Sequence, residues 1–291
     1  MNDITKDAAQ AERSLLAALL EDSRLYHTGK DYLDLLEFVS RLRNFAPFNA
    51  MLLRIQKPGL TYAASAWDWR TRFNRTIKEG ARPLLILWPF APVALVYDVL
   101  DTEGADLPAD VAETFHATGV VTQQTIDDFF WLLSRRGIDA KHLQSGDAHA
   151  GMIEVIEHST DKRRRGKYKM RINSTHPLNV QFVTLAHELG HLFLGHLGPD
   201  KHLKIAQRPY RHLDQQELEA ESLAYLVCRR HGVKSKSESY LADYVDRNTT
   251  VGTIDLDAIL KAAGQVETLL GIAAETLFEP KKKRFIEEEA G

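Results

Sequence analysis

A chain of 291 residues with 44% hydrophobic content exceeds the usual single-domain size and can bury a sizeable core, so two domains are expected. The formal net charge of −3 and pI near 6.5 exclude a global electrostatic footprint for nucleic acid, and such a partner would need a local basic patch. A single cysteine, Cys228, excludes an intramolecular disulfide, and the N-terminal MNDITKDAAQAERS carries acids where a secretory signal carries bases, so a cytoplasmic protein is expected.

Taken in order, residues 10–56 place apolar side chains at helical intervals (Leu33, Leu36, Phe38, Leu42, then Met51, Leu52, Ile55) until Lys57-Pro58-Gly59 stops the pattern. The run SAWDWRTRFNRTIKEGARP at 65–83 predicts a short aromatic helix and a turn. Two strands are expected next, Leu84–Trp88 and Val93–Val99, hinged at Pro89 and Pro92. The apolar stretch 83–97, which overlaps both, is broken by prolines and falls short of the ~20 residues of a membrane span, so no membrane partner is expected. A polar break at 101–110 puts a domain boundary near 105, followed by helical patterns at 109–117 and 123–136 and the turn cluster LQSGDAHAG. Strands Met152–Glu157 and Tyr168–Ile172 read as a hairpin with a long charged loop. Helices at 178–196, 214–231 and 254–270 follow, and EPKKKRFIEEEAG is too charged to fold alone and reads as a tail.

The segment LAHELGHLFLGH at 185–196 carries the chemistry. Phe182, Ala186, Leu189 and Phe193 form an apolar stripe at helical spacing. On another face His187 and His191 stand four residues apart, about 6 Å along the axis, so both imidazoles can reach one ion at roughly 2.0–2.1 Å. Glu188 points to the same rim and suits a base that takes a proton from an activated water. This is the HExxH pattern of zinc hydrolases. A catalytic zinc site needs a third protein ligand. His196, five residues past His191, lies too far round the helix and is read as a supporting or rim histidine. In QQELEAESLAYLVC, Glu217 and Glu221 share a helix face whose other side is apolar, a costly arrangement unless the acids are paired or metal-bound. Glu217 is expected as the ligand and Glu221 as the group that orients a ligand histidine, with Glu219 pointing elsewhere. No oxyanion-stabilising residue stands out, and His196 and Tyr168 are the candidates. Tyr168–Ile172 offers an edge for an extended peptide substrate.

VTLAHELGHLFLGH followed by ELEAESLAYLVC resembles the ImmA/IrrE family of gluzincin-type metallopeptidases, in particular the peptidase domain of ArdC-type antirestriction proteins. SYLADYVDR and IDLDAILKAAGQVETLL resemble the helical end of that domain, and FNAMLLRIQKPGLTYAASAWDWRTRFNRTIKEGARPLLILWP is similar in layout to the ArdC N-terminal module, described for that family as binding single-stranded DNA. The resemblance implies an α+β protein with a small N-terminal α/β domain (1–105), a helical connector (106–145), a mainly helical zincin-like domain with a short hairpin (146–275) and a charged tail (276–291). It also implies Zn2+ as cofactor, a protein or peptide substrate such as a repressor or restriction-related protein, and antirestriction or regulatory proteolysis.

The alternative is a nucleic-acid-binding antirestriction protein whose peptidase fold is not used catalytically. Its sequence support is Trp67, Trp69, Arg70, Arg72, Arg75 and Lys78, with Phe73 and Arg82, where cations interleave with stacking platforms. The same aromatic spacing equally describes a packed core with solvated arginines. A second basic run, DKRRRGKYKMR at 161–171, reads as a solvated hairpin tip.

Overall fold

The computed structural model describes residues 29–88, 91–107, 120–145, 149–234 and 254–273, together with 276, 278 and 279. The helix start near residue 10, the helix at 109–117, the segment SYLADYVDR and the charged tail beyond 279 lie outside these residues. The architecture is mixed α+β.

The N-terminal helical pattern becomes two helices, α1 (Gly29–Arg41) and α2 (Pro47–Gln56), separated where Pro47 removes a backbone donor and restarts the chain at the first helical position. A one-turn-and-a-half helix, α3 (Ala66–Thr71), is capped by the Ser65 hydroxyl, which accepts from the Asp68 amide. Strands β1 (Ala63–Ala64), β3 (Leu84–Trp88) and β4 (Ala91–Asp98) form an antiparallel sheet of order β1-β4-β3. Strands β2 (Arg75–Ile77) and β5 (Thr102–Gly104) make a separate antiparallel pair.

Helix α4 (Gln123–Ser134) leads into a strand that periodicity did not reveal, β6 (Ile138–Leu143). It pairs in parallel with β8 (Lys167–Asn173), and β7 (Gly151–Glu157) pairs antiparallel with the other side of β8. The expected hairpin is therefore present, but β8 is the central strand, and β6 and β7 are the edges of this sheet.

Helices α5 (Leu178–Phe193), α6 (Leu213–Arg230) and α7 (Leu256–Leu269) complete the described fold. One apolar core runs from Leu35, Met51 and Leu53 of α1 and α2 through Met170 and Ile172 of β8 to Leu185, Leu223 and Leu260 of the last three helices. Arg230, buried at the end of α6, ties these parts together. Its guanidinium donates to the carbonyl of Val39 in the last turn of α1, to those of Leu42 and Phe45 in the turn that follows, and to Glu267 of α7 at 2.6 Å. Among the described residues no helix is long and apolar enough to cross a membrane.

Candidate metal centre

Two helices build the site. Phe182, Leu185, Ala186, Leu189 and Leu192 bury one side of α5, which leaves His187, Glu188 and His191 half-buried on another. Glycine at position 190 lets α6 come close: a Cβ there would stand 3.2 Å from the Ala220 Cα and 3.3 Å from its carbonyl oxygen. On α6, buried Leu218, Leu223 and Leu226 fix the rotation that turns Glu217 and Glu221 toward α5.

His187, His191 and Glu217 converge, each offering an atom within 4.8 Å of the others. The two Nε2 atoms lie 3.1 Å apart, and the Glu217 carboxylate oxygens lie 3.4 Å from His187 Nε2 and 3.5 Å from His191 Nε2. Tetrahedral ligands at zinc distances stand about 3.3 Å from one another. The donor set and its spacing therefore fit a first-row metal ion without rearrangement.

Both imidazoles are held from behind. His187 Nδ1 donates to Glu221 Oε2 at 3.1 Å. His191 Nδ1 meets His196 Nδ1 at 3.0 Å, and His196 Nε2 meets Glu219 Oε2 at 3.0 Å. One tautomer assignment satisfies this chain: His191 donates from Nδ1, His196 accepts at Nδ1 and donates from Nε2 to the Glu219 carboxylate. With a metal ion in place of the protons that Glu217 otherwise draws to the ligand nitrogens, this assignment leaves both Nε2 lone pairs for coordination. Glu219 is fully buried and is itself fixed by Arg208, whose Nη1 and Nη2 donate at 2.8 and 2.9 Å, and by the Asp255 amide at 2.9 Å.

His196 reaches His191 through the way α5 ends. Gly195 adopts φ +74°, its amide donates to the Leu192 carbonyl, and the His196 amide donates to the His191 carbonyl. This left-handed C-terminal cap folds residue 196 back over the last turn. On a continued helix His196 would point away from His191.

The electrostatics follow from the same contacts. Burial favours neutral imidazole at His187, but hydrogen bonds to Glu217 and Glu221 outweigh it and hold the pKa up at about 10. The bonds from His187 and His191 hold Glu217 well below the usual carboxylate range. Burial raises the pKa of Glu188, against the pull of His187, His191 and a hydrogen bond from the Ile153 amide. Burial opposes charge at Glu219, yet His196, Arg208 and the Asp255 amide lower its pKa to about 2. Burial lowers His196, in keeping with the neutral tautomer above.

The other sequence-selected residues are placed differently. The Tyr168 ring is buried and its hydroxyl donates to Asp200 Oδ2 at 2.5 Å, so it does not serve as an oxyanion donor. His196 is committed at both nitrogens. Trp69 is fully buried and packs with Tyr62 and Phe73, and its indole N–H donates to the Tyr97 carbonyl, so neither Trp69 nor Phe73 is a stacking platform. Arg75 turns to Thr102 and Ala105, and Lys78 to the Leu100 carbonyl. Trp67, half-buried beneath the Arg70 guanidinium, and Arg72, 3.9 Å from Asp68, complete that set. Three participants were not found from sequence: Glu219, expected to point elsewhere but placed on the buried side of α6, where it holds His196; Arg208, which sits in a loop without periodicity; and the Ile153 amide, which no side-chain pattern reports.

Residues 151–229 match the family model of the IrrE N-terminal-like domain, peptidase family M78. No curated protein matches the chain. Among solved structures, the antirestriction protein ArdC from plasmid R388 is similar in its Mn(II)-bound form at 18% identity, with 79% of this chain and 83% of that chain covered and a TM-score of 0.38. Its metal-free form is similar at 15% identity with the same coverage and a TM-score of 0.33. The matched segment runs from β7 to the last turn of α6 and contains His187, Glu188, His191 and Glu217. Residues 151–229 are thus similar to the IrrE N-terminal-like domain of peptidase family M78, and the His–His–Glu cluster lies inside the matched segment.

Proposed function

We propose that this protein is a zinc-dependent metallopeptidase in which His187, His191 and Glu217 hold the metal and Glu188 acts as general base. The convergence of the three ligand atoms, with a separate orienting partner behind each histidine, carries this reading. Two imidazoles and one carboxylate suit zinc, and its role when bound is Lewis acidity, which lowers the pKa of a water to ~7 and polarises the scissile carbonyl.

The chain's own residues supply the rest. Glu188, with its pKa raised by burial, accepts the proton of the attacking water and returns it to the leaving amine. Glu221 and His196 fix the two ring orientations, and Glu219 with Arg208 fixes His196. The edge that serves an extended peptide is β7, since β8 is paired on both sides. The Ile153 amide turns from the sheet toward Glu188, and with a backbone period of two Gly151 and Val155 present the same free side. A peptide paired there would run past the metal centre. Antirestriction or regulatory proteolysis, on a repressor or a restriction-related protein, is the role that the motif resemblance adds.

The test is Glu188→Gln with zinc content and hydrolysis of an unstructured protein such as casein measured together. Retained zinc with hydrolysis down by roughly 10²-fold or more is expected. Undiminished hydrolysis would refute the assignment.

A further inference from the structure

A second concavity, of 660 Å³, lies between α2, α7, the end of α5 and the turn at 202–204. Its size falls within the ~300–1,000 Å³ of small-molecule sites. Phe48, Phe193, Leu203 and Leu260 supply apolar walls, while Arg136, Lys204 and Lys261 stand around them. Phe193 is two residues past His191, roughly 200° round the helix, so this cavity lies behind the ligand-bearing face and is separate from the metal centre.

The charge around it is one-sided. Among the described residues no carboxylate lines the cavity, although the chain as a whole carries a net −3. Lys261 lies 4.8 Å over the Phe48 ring and pairs with Asp257 at 2.6 Å. Arg136 and Lys204 have no side-chain hydrogen bond or ion pair among the described residues. Lys204 also holds φ +60°, a left-handed conformation that is unfavourable for a residue with a Cβ and that glycine or asparagine would take more easily. A lysine kept in a strained turn at the lip of an apolar cavity points to a use for its charge.

We infer that this cavity binds a small organic anion with an apolar body, such as a fatty or aryl carboxylate. The head group sits with Arg136 and Lys204 and the body lies against Phe48, Phe193 and Leu203. Apolar walls beside Arg136 and Lys204 strengthen the attraction of these two cations for such a ligand. The inference does not depend on peptidase activity.

Full-length protein titrated with 8-anilinonaphthalene-1-sulfonate, followed by competition with decanoate and with decanol, tests it. Expected are saturable binding, displacement by decanoate, and no displacement by decanol at the same concentration. Arg136→Glu with Lys204→Glu should weaken decanoate tenfold or more, about 1.4 kcal/mol, with an unchanged circular dichroism spectrum. The milder Arg136→Gln with Lys204→Gln should fall between and guards against loss of fold in the reversed variant. Equal displacement by decanoate and decanol, or decanoate affinity indifferent to both double variants, overturns the inference.

Discussion

Replacing Arg208 by Met removes the group that makes a buried carboxylate tolerable. Glu219 is fully buried and accepts four hydrogen bonds, two from the Arg208 fork, one from His196 and one from the Asp255 amide. Breaking a buried ion pair from one side costs about 3–5 kcal/mol, because the remaining charge is left without its partner. The lower end applies here, since His196 and the amide still hold the carboxylate, and about 3 kcal/mol corresponds to a fall in Tm of roughly 6–12 °C. The second effect reaches the metal. With Glu219 loosened, His196 no longer fixes His191, and losing such an orienting partner typically weakens metal binding about 10–100-fold. Urea unfolding of the metal-free protein and zinc competition against a chromophoric chelator read the two effects separately. Arg208→Lys should restore part of each, because it keeps the charge and loses the fork. Arg208→Met combined with Glu219→Gln should lose less stability than the two changes summed. A stability loss below about 1 kcal/mol with zinc affinity within about twofold of wild type would refute the relay.

Gly190→Ala should weaken zinc binding, since its Cβ would meet the backbone of Ala220 at 3.2–3.3 Å and push α5 from α6. Overpacking of about 1–3 kcal/mol outweighs a helix-propensity gain of about 1 kcal/mol, and a variant more stable than wild type with full zinc affinity would show that the crossing has slack. Trp69→Ala should cost about 3–5 kcal/mol in thermal or chemical unfolding, as removal of a core ring; a stable, folded variant would return Trp69 to the surface. For Asp200, burial opposes the charge, but donors from Tyr168 and the Leu203 and Ser159 amides hold its pKa below the usual 3.8. Its contribution is therefore complete above the unfolded pKa and lost as pH falls through the lower folded value. Tyr168→Phe removes one donor and should move the midpoint of acid unfolding to higher pH, and an unchanged midpoint would count against the network.

The parts of this protein legible from sequence are those written in one helix at a time. The spacing of His187 and His191, the stripe of Phe182, Ala186 and Leu189, and the four-residue interval between Glu217 and Glu221 all follow from 3.6 residues per turn. So do the approximate limits of α5, α6 and α7, because long amphipathic helices repeat their signal over several turns. What required the tertiary structure is pairing between elements. Periodicity places two acids on a face, but the close approach at Gly190 and Ala220 decides that Glu221 meets His187 while Glu217 faces both ligand nitrogens. The left-handed turn at Gly195 reverses where His196 points, an outcome of one dihedral angle and not of helical spacing. Trp69 and Phe73 read equally as core or as platform, and only the packing of Tyr62 and the Tyr97 carbonyl against them made them core. Strand β6 is short and mostly polar, so its alternation is weak, and its parallel partner lies across an intervening strand. That pairing is what moves the free edge of the sheet to β7, since hydrogen bonding between distant strands is set by where the chain returns and not by the residues of either strand alone.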